Sequence, residues 1–164
     1  MADQDLIMKR VGEGIELSQR GDREAARGLF AEVWEEIGGE RGDPFHRCAL
    51  AHCMADVQDD VQDELLWDRR ALEAADMVSD ERAAAAGVSS VEGFYPSLYL
   101  NLGECYRKLG DYDQARQHLA AGRAAVDMLP DDGYGRMIRG GLQRLEERLC
   151  EPDQPADAEE FRPS

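Results

Sequence analysis

The segment from Tyr99 to Leu119 constrains the fold more than any other part of the chain. Tyr99, Leu102, Tyr106 and Leu109 recur at three- and four-residue spacing, which puts them on one face of a helix. Gly103 falls in the middle of that helix, where glycine costs about 1 kcal/mol relative to alanine. Such a residue makes sense where a second helix must come close. Gly110 stands where a helix ends and the backbone turns left-handed. Asp111, with Gln114 three residues later, has the pattern of a capped helix start. Ala115 then allows the second helix to pack tightly on the first, and Leu119 fills the space beyond. The segment predicts two antiparallel helices joined by a Gly-Asp turn.

The same pattern occurs near the N-terminus. Gly14, Leu17, Gly21, Ala26 and Phe30 fall at the offsets of Gly103, Tyr106, Gly110, Ala115 and Leu119. Recurrence of a multi-position pattern is the sequence signature of stacked repeats. The middle of the chain is more degenerate. Asp43 and Pro44 predict a capped helix start followed by a helix from Phe45 to Val57. Leu65, Leu66, Ala71, Leu72 and Ala75 continue a helical pattern to about Val78, which makes a hairpin whose turn, around Gln58 to Asp60, lacks glycine. Glycine- and proline-rich stretches predict loops over 38–44, 87–93 and 130–135. A last helix, Tyr134 to Leu149, carries Met137, Ile138, Leu142, Leu145 and Leu149 on one face and Arg136, Arg139, Arg144, Glu146, Glu147 and Arg148 on the other. Residues 1–150 thus form one helical repeat domain. Residues 151–164, with three prolines and little apolar content, predict a disordered acidic tail.

These residues resemble the tetratricopeptide repeat, in which an aromatic, Leu-Gly, Tyr, a turn Gly, Ala and a large apolar residue follow in that order. Here they are Tyr99, Leu102-Gly103, Tyr106, Gly110, Ala115 and Leu119. Two positions depart from the pattern. Gly122 stands where Ala is usual, and Asp127 replaces the closing Pro, with Pro130 three residues later, so the second helix should be longer than standard. The resemblance implies an all-α fold, a right-handed α-α superhelix of about three helical hairpins with a C-terminal capping helix, and a binding role. Over most of its length the chain also resembles small actinobacterial proteins of this repeat class that have no established function. Ala51-His52-x-x-Ala55-Asp56 and Gly93-Phe94-Tyr95-Pro96-Ser97 carry that likeness. Asn101 resembles a residue of the repeats that clamp peptide C-termini, but Gly12 at the matching N-terminal position and an acidic groove argue against such a clamp.

Composition narrows the partners. A hydrophobic content of 43% suits a soluble globular domain, and no apolar run approaches the roughly 20 residues that cross a membrane. The acidic start lacks the core of a signal peptide, so a cytoplasmic protein is expected. Its four cysteines, none in a Cys-x-x-Cys pair, read as reduced thiols. A net charge of −16 opposes nucleic acid and anionic membranes as partners. Asp56, Asp59, Asp60, Asp63, Glu64 and Asp68 follow one another with no Lys or Arg among them.

Three groups of residues are candidates for function. His52 and Asp56 share a helix face, and Asp60 and Glu64 repeat their spacing. Together they form the polar wall of a groove for a basic peptide, an amine or a metal ion. Alternatively, Asp60 and Asp63 cap a helix and the rest is a solvated face. His46, Cys48, His52 and Cys53 have zinc-binding side chains, with Cys48 and His52 one turn apart, but not the paired spacing of a structural zinc site, so no metal is assigned. Tyr95, Tyr99 and Asn101 supply an aromatic and polar edge, with packing between hairpins as the competing role for the tyrosines. His118 is expected on the surface. No Gly-x-Ser-x-Gly, phosphate-binding glycine loop or His-Glu-x-x-His is present.

The expectation is therefore a protein-interaction module, not an enzyme, without a cofactor. It takes a protein or peptide of basic character in an acidic concave groove made by His52, Asp56, Asp60, Glu64, Tyr95, Tyr99 and Asn101, and a homodimer is compatible with it. The alternatives are a sensor that holds a small ligand or metal ion at His52 and the nearby acids, and an enzyme centred on His52 and Asp56.

Overall fold

In the computed structural model, which describes residues 2–88 and 90–150, all regular elements are helical and the described residues include no strand. The predicted tail at 151–164 lies outside the described residues. Among the described residues eight α-helices follow in order: α1 (Ala2–Gln19), α2 (Arg23–Glu36), α3 (Pro44–Asp56), α4 (Val61–Ala75), α5 (Asp80–Ala85), α6 (Tyr95–Lys108), α7 (Tyr112–Ala124) and α8 (Gly133–Cys150). Neighbours pair as α1 with α2, α3 with α4, and α6 with α7. Successive pairs join through α1 and α2 on α3 and through α4 on α6, and α8 packs on both α6 and α7. Among the described residues no helix is long and apolar enough to cross a membrane.

The two Gly-Asp turns are built alike. Gly21 and Gly110 have φ of +86° and +81°, a region that favours glycine. In the first turn the Gly21 and Asp22 amides donate to the Ser18 and Leu17 carbonyls, and in the second the Gly110 and Asp111 amides donate to Arg107 and Tyr106. These are the paired bonds of a Schellman ending. Asp111 also accepts from the Gln114 amide at 3.2 Å, whereas Asp22 makes no side-chain cap bond.

The glycine-free middle turn is held by a neighbouring helix. Arg27 of α2 donates Nε and Nη2 to the Val57 carbonyl at 3.0 and 2.6 Å. Arg23 donates to the Gln58 carbonyl at 2.8 Å, and both guanidinium groups reach Asp59. Two arginines from the first hairpin thus hold the Val57 and Gln58 carbonyls just past α3, while the Val57 and Gln58 amides close its last turn on Met54 and Ala55.

Small residues set the helix spacing. A Cβ on Gly103 would lie 2.6 Å from the Leu145 side chain of α8 and 3.5 Å from the Ala115 carbonyl of α7. Gly103 therefore opens room for α8 as well as for its hairpin partner. Ala71, Ala74 and Ala75 of α4 are fully buried with Cys48, Ala51 and Leu98 between the second and third hairpins. Val11, Ala26, Phe30, Val33, Leu50, Met54 and Val57 fill the first interface. Ala115, Leu119, Ile138, Leu142, Leu145 and Leu149 fill the last.

Three details differ from the sequence expectation. Ser79 caps a short extra helix, α5, and a 3-10 turn over Val91–Phe94 occupies part of the predicted loop. Met137 is 59% exposed, because the buried stripe of α8 runs through Ile138, Gly141, Leu142, Leu145 and Leu149 and leaves Met137 beside it. The late Pro130 follows a 3-10 turn, Val126–Met128, so α7 ends at Ala124 and the chain tightens before the loop.

The glycines of α1 supply a paired test. An alanine Cβ at Gly14 would overlap the buried Phe30 ring, whereas nothing lies within 4 Å of one at Gly12. In chemical denaturation, Gly12→Ala is expected to stabilise the protein by about 0.5–1 kcal/mol through helix propensity. Gly14→Ala is expected to destabilise it by about 1–3 kcal/mol through overpacking. A shift of the same sign in both would contradict this packing.

Candidate functional site at the junction of three helices

Three pairs of polar residues, each four residues apart, meet where α3, α4 and α6 come together: His52 with Asp56, Glu64 with Asp68, and Asn101 with Cys105. The spacing puts each pair on one helix face. Asn101 Nδ2 lies 3.4 Å from His52 Nδ1, which links α6 to α3. Cys105 Sγ donates to Asp68 Oδ2 at 3.4 Å, which links α6 to α4. Glu64 pairs with Lys108 at 3.5 Å. Asp68 is only 1% exposed, and its other oxygen, Oδ1, has no hydrogen-bond partner.

Burial pushes the Asp68 carboxyl from 3.8 up to about 8, and the charges of Glu64 and Asp56 add to the shift, while the Cys105 thiol and the Asn101 amide oppose it. Asp68 is thus largely protonated at neutral pH. Asp56 reaches solvent at its outer edge, yet the protein crowded around it raises its carboxyl, with His52 pulling it down and Glu64 reinforcing the rise. Burial also raises the thiols: Cys48 and Cys53 to about 12, and Cys105 higher still with Asp68 and Glu64 beside it. None of these three thiols has the lowered pKa of an activated nucleophile. The donor atoms of Glu64, Asp68 and Cys105 lie within 4.8 Å of one another, close enough to share a metal ion.

His52 is also part of a second feature. A cavity of about 250 Å³ opens between α1, α3, α6 and the start of α8, lined by Met8, Phe45, Cys48, Ala49, Phe94, Ser97, Leu98 and Tyr134 as well as His52. Its lining is mainly apolar. The Ser97 hydroxyl is turned inward on the Phe94 carbonyl at 3.0 Å, so His52 is the polar group that joins the cavity to the acidic junction.

Of the residues singled out in the sequence, the structure brings His52, Asp56, Glu64 and Asn101 together. Asp60 stands apart at the start of α4, where its carboxylate caps the helix by accepting from the Gln62 and Asp63 amides at 2.7 and 3.4 Å. Tyr95 and Tyr99 also lie elsewhere. Their rings stack at 5.8 Å, and Tyr95 donates its hydroxyl to Asp76 Oδ1 at 2.6 Å, in a separate groove with Ala121, Ala124 and Met128. Two residues turn a helix by about 200°, so Tyr99 and Asn101 point to opposite sides of α6. Cys48 and His52 both line the cavity, while Cys53 packs against the core of the first interface. His118 is half-buried, not superficial: it stacks on Tyr106 at 5.1 Å and bonds the Gln114 carbonyl at 2.8 Å.

Asp68 and Cys105 were not among the sequence candidates. The signal available was positional: Asp68 falls on the stripe Asp68, Ala71, Ala75 that α4 buries, and Cys105 on the stripe Leu98, Leu102, Cys105 that α6 buries. An acid in register with a core stripe marks a buried carboxyl that periodicity alone can reveal. Compared with protein-family models, curated proteins and solved structures, the chain matches none.

The raised Asp68 sets a pH dependence. The folded protein holds a proton that the unfolded chain releases between 3.8 and about 8. This contribution to stability is complete below that window and is lost as pH rises through it. In metal-free buffer, the stability of Asp68→Asn relative to the native chain is expected to increase across the window and level off above it. A difference that does not change with pH would mean that Asp68 is ionised throughout.

Proposed function

We propose that the chain is a tetratricopeptide-like right-handed superhelix of three hairpins closed by α8, and that it works as a binding module. Its inner face takes an extended segment of a partner protein. A large apolar side chain of that segment enters the cavity between Phe45, Leu98 and Tyr134, and a neighbouring Lys or Arg meets Asp56 and Glu64. The observation that carries this reading is the shared position of His52, at once a wall of the apolar cavity and the neighbour of the acidic junction. A cavity with a mostly apolar lining and a few polar groups at one end suits an anchored side chain with a directional contact beside it. The net charge of −16 favours a basic partner. The high thiol pKa values support binding over covalent catalysis, and cytoplasmic proteins are the partners this reading anticipates.

Selection of a random peptide library on the purified protein tests this. The peptides recovered should share a large apolar residue close to Lys or Arg. Ala49→Trp, which fills the cavity, should abolish binding, and Asp56→Asn should weaken it by about tenfold, or roughly 1.4 kcal/mol. Peptides without that pattern, or affinities indifferent to Ala49→Trp, would remove the proposal.

A further inference from the structure

The α4–α6 contact places two carboxylates and a thiol around one point. Glu64 and Asp68 come from successive turns of α4, and Cys105 comes from α6. Tetrahedral sites with bonds of about 2.0–2.3 Å hold their donors roughly 3.3–3.8 Å apart. Cys105 Sγ and Asp68 Oδ2 are 3.4 Å apart, and all three donors lie within 4.8 Å of each other. Gathering Glu64 requires only a side-chain adjustment, since it is held by Lys108, whose outer end faces solvent.

A second observation points to a ligand. Asp68 is buried to 99% of its surface, and its Oδ1 accepts no hydrogen bond. Buried polar atoms without a partner are rare in folded proteins and call for an explanation. Asn101, one turn before Cys105, favours the Asp68 carboxylate and contacts His52, which is the orienting role that outer residues take around metal ligands.

We infer that Glu64, Asp68 and Cys105 form a binding site for a Zn²⁺-class divalent ion, with a fourth position left for water. The sulfur ligand selects a borderline-soft ion over Ca²⁺ or Mg²⁺, which favour all-oxygen shells. Binding displaces the Cys105 thiol proton and the proton carried by Asp68, both of which pass to solvent, and no electron is transferred. The ion would pin α4 to α6 beside the cavity. The inference shares Glu64 with the proposed peptide contact but does not depend on it, because it is tested with the metal alone.

Titration of the full chain with Co²⁺, a spectroscopic stand-in for Zn²⁺, tests it. One equivalent should produce sulfur-to-cobalt charge-transfer absorption with the visible bands of a tetrahedral ion, and Zn²⁺ should displace it. Cys105→Ser should abolish the charge-transfer band. Glu64→Gln should keep the band and weaken Co²⁺ affinity at least tenfold. Absence of the band in the native chain would overturn the inference, as would its persistence in Cys105→Ser, which would assign the sulfur to another cysteine. If Cys105→Ser does not fold, Glu64→Gln decides: unchanged affinity overturns the site, and weakened affinity with the band retained supports it.

Discussion

Alanine and glycine at the helix crossings set the distance between hairpins, and the rest of the molecule follows from that distance. Helix axes approach to about 8 Å only where side chains at the contact are small. Ala71, Ala74 and Ala75 of α4 are buried in one cluster with Cys48 and Ala51 of α3 and Leu98 of α6, so both neighbouring helices can lie close to it. The approach of the two backbones brings Cys105 within 3.4 Å of Asp68 and keeps water away from both. Larger residues on the α4 stripe would hold α6 away and leave Asp68 solvated, with an ordinary carboxyl pKa. The buried acid is therefore a consequence of the same close packing that stabilises the stack.

That arrangement ties packing to electrostatics. Glu64 stands near enough to Asp56 and Asp68 to raise the cost of ionising both, and Asp56 adds to the rise at Asp68. A cation is the natural complement of such a cluster, whether a side chain of a partner at the open Asp56 end or an ion at the enclosed Asp68 end. His52 and Asn101 connect the two ends. The apolar cavity begins where the acids stop, so this side of α3 changes character between Phe45 and Asp56.

The hairpins were legible in the sequence because their determinants are local. Gly21 and Gly110 mark turns that the backbone then builds with the same pair of hydrogen bonds. The middle hairpin was legible by periodicity, but its turn chemistry was not, because Arg23 and Arg27 reach it from about thirty residues away in sequence. Helical spacing grouped His52 and Asp56 with Glu64, Asn101 was expected on the same groove, and the tertiary fold keeps these four together. Spacing alone failed for Tyr95 and Tyr99, which share α6 with Asn101 but face another groove. It also failed for Asp60, whose carboxylate is committed to capping α4. Asp68 and Cys105 were missed because the acid was read as part of a charge run and the cysteine as one of four reduced thiols. Only the α4–α6 contact, which is not local, brings them together.

The central claim is that the inner surface around His52, rather than the groove at Tyr95 and Tyr99, receives the partner. The most direct measurement is an NMR titration of isotope-labelled protein with a peptide selected on it, followed residue by residue. Shift changes concentrated at Met8, Phe45, His52, Asp56, Leu98 and Asn101, and saturating together, are the predicted result. Changes confined to Asp76, Tyr95, Tyr99 and Met128, with the His52 surroundings unmoved, would contradict it.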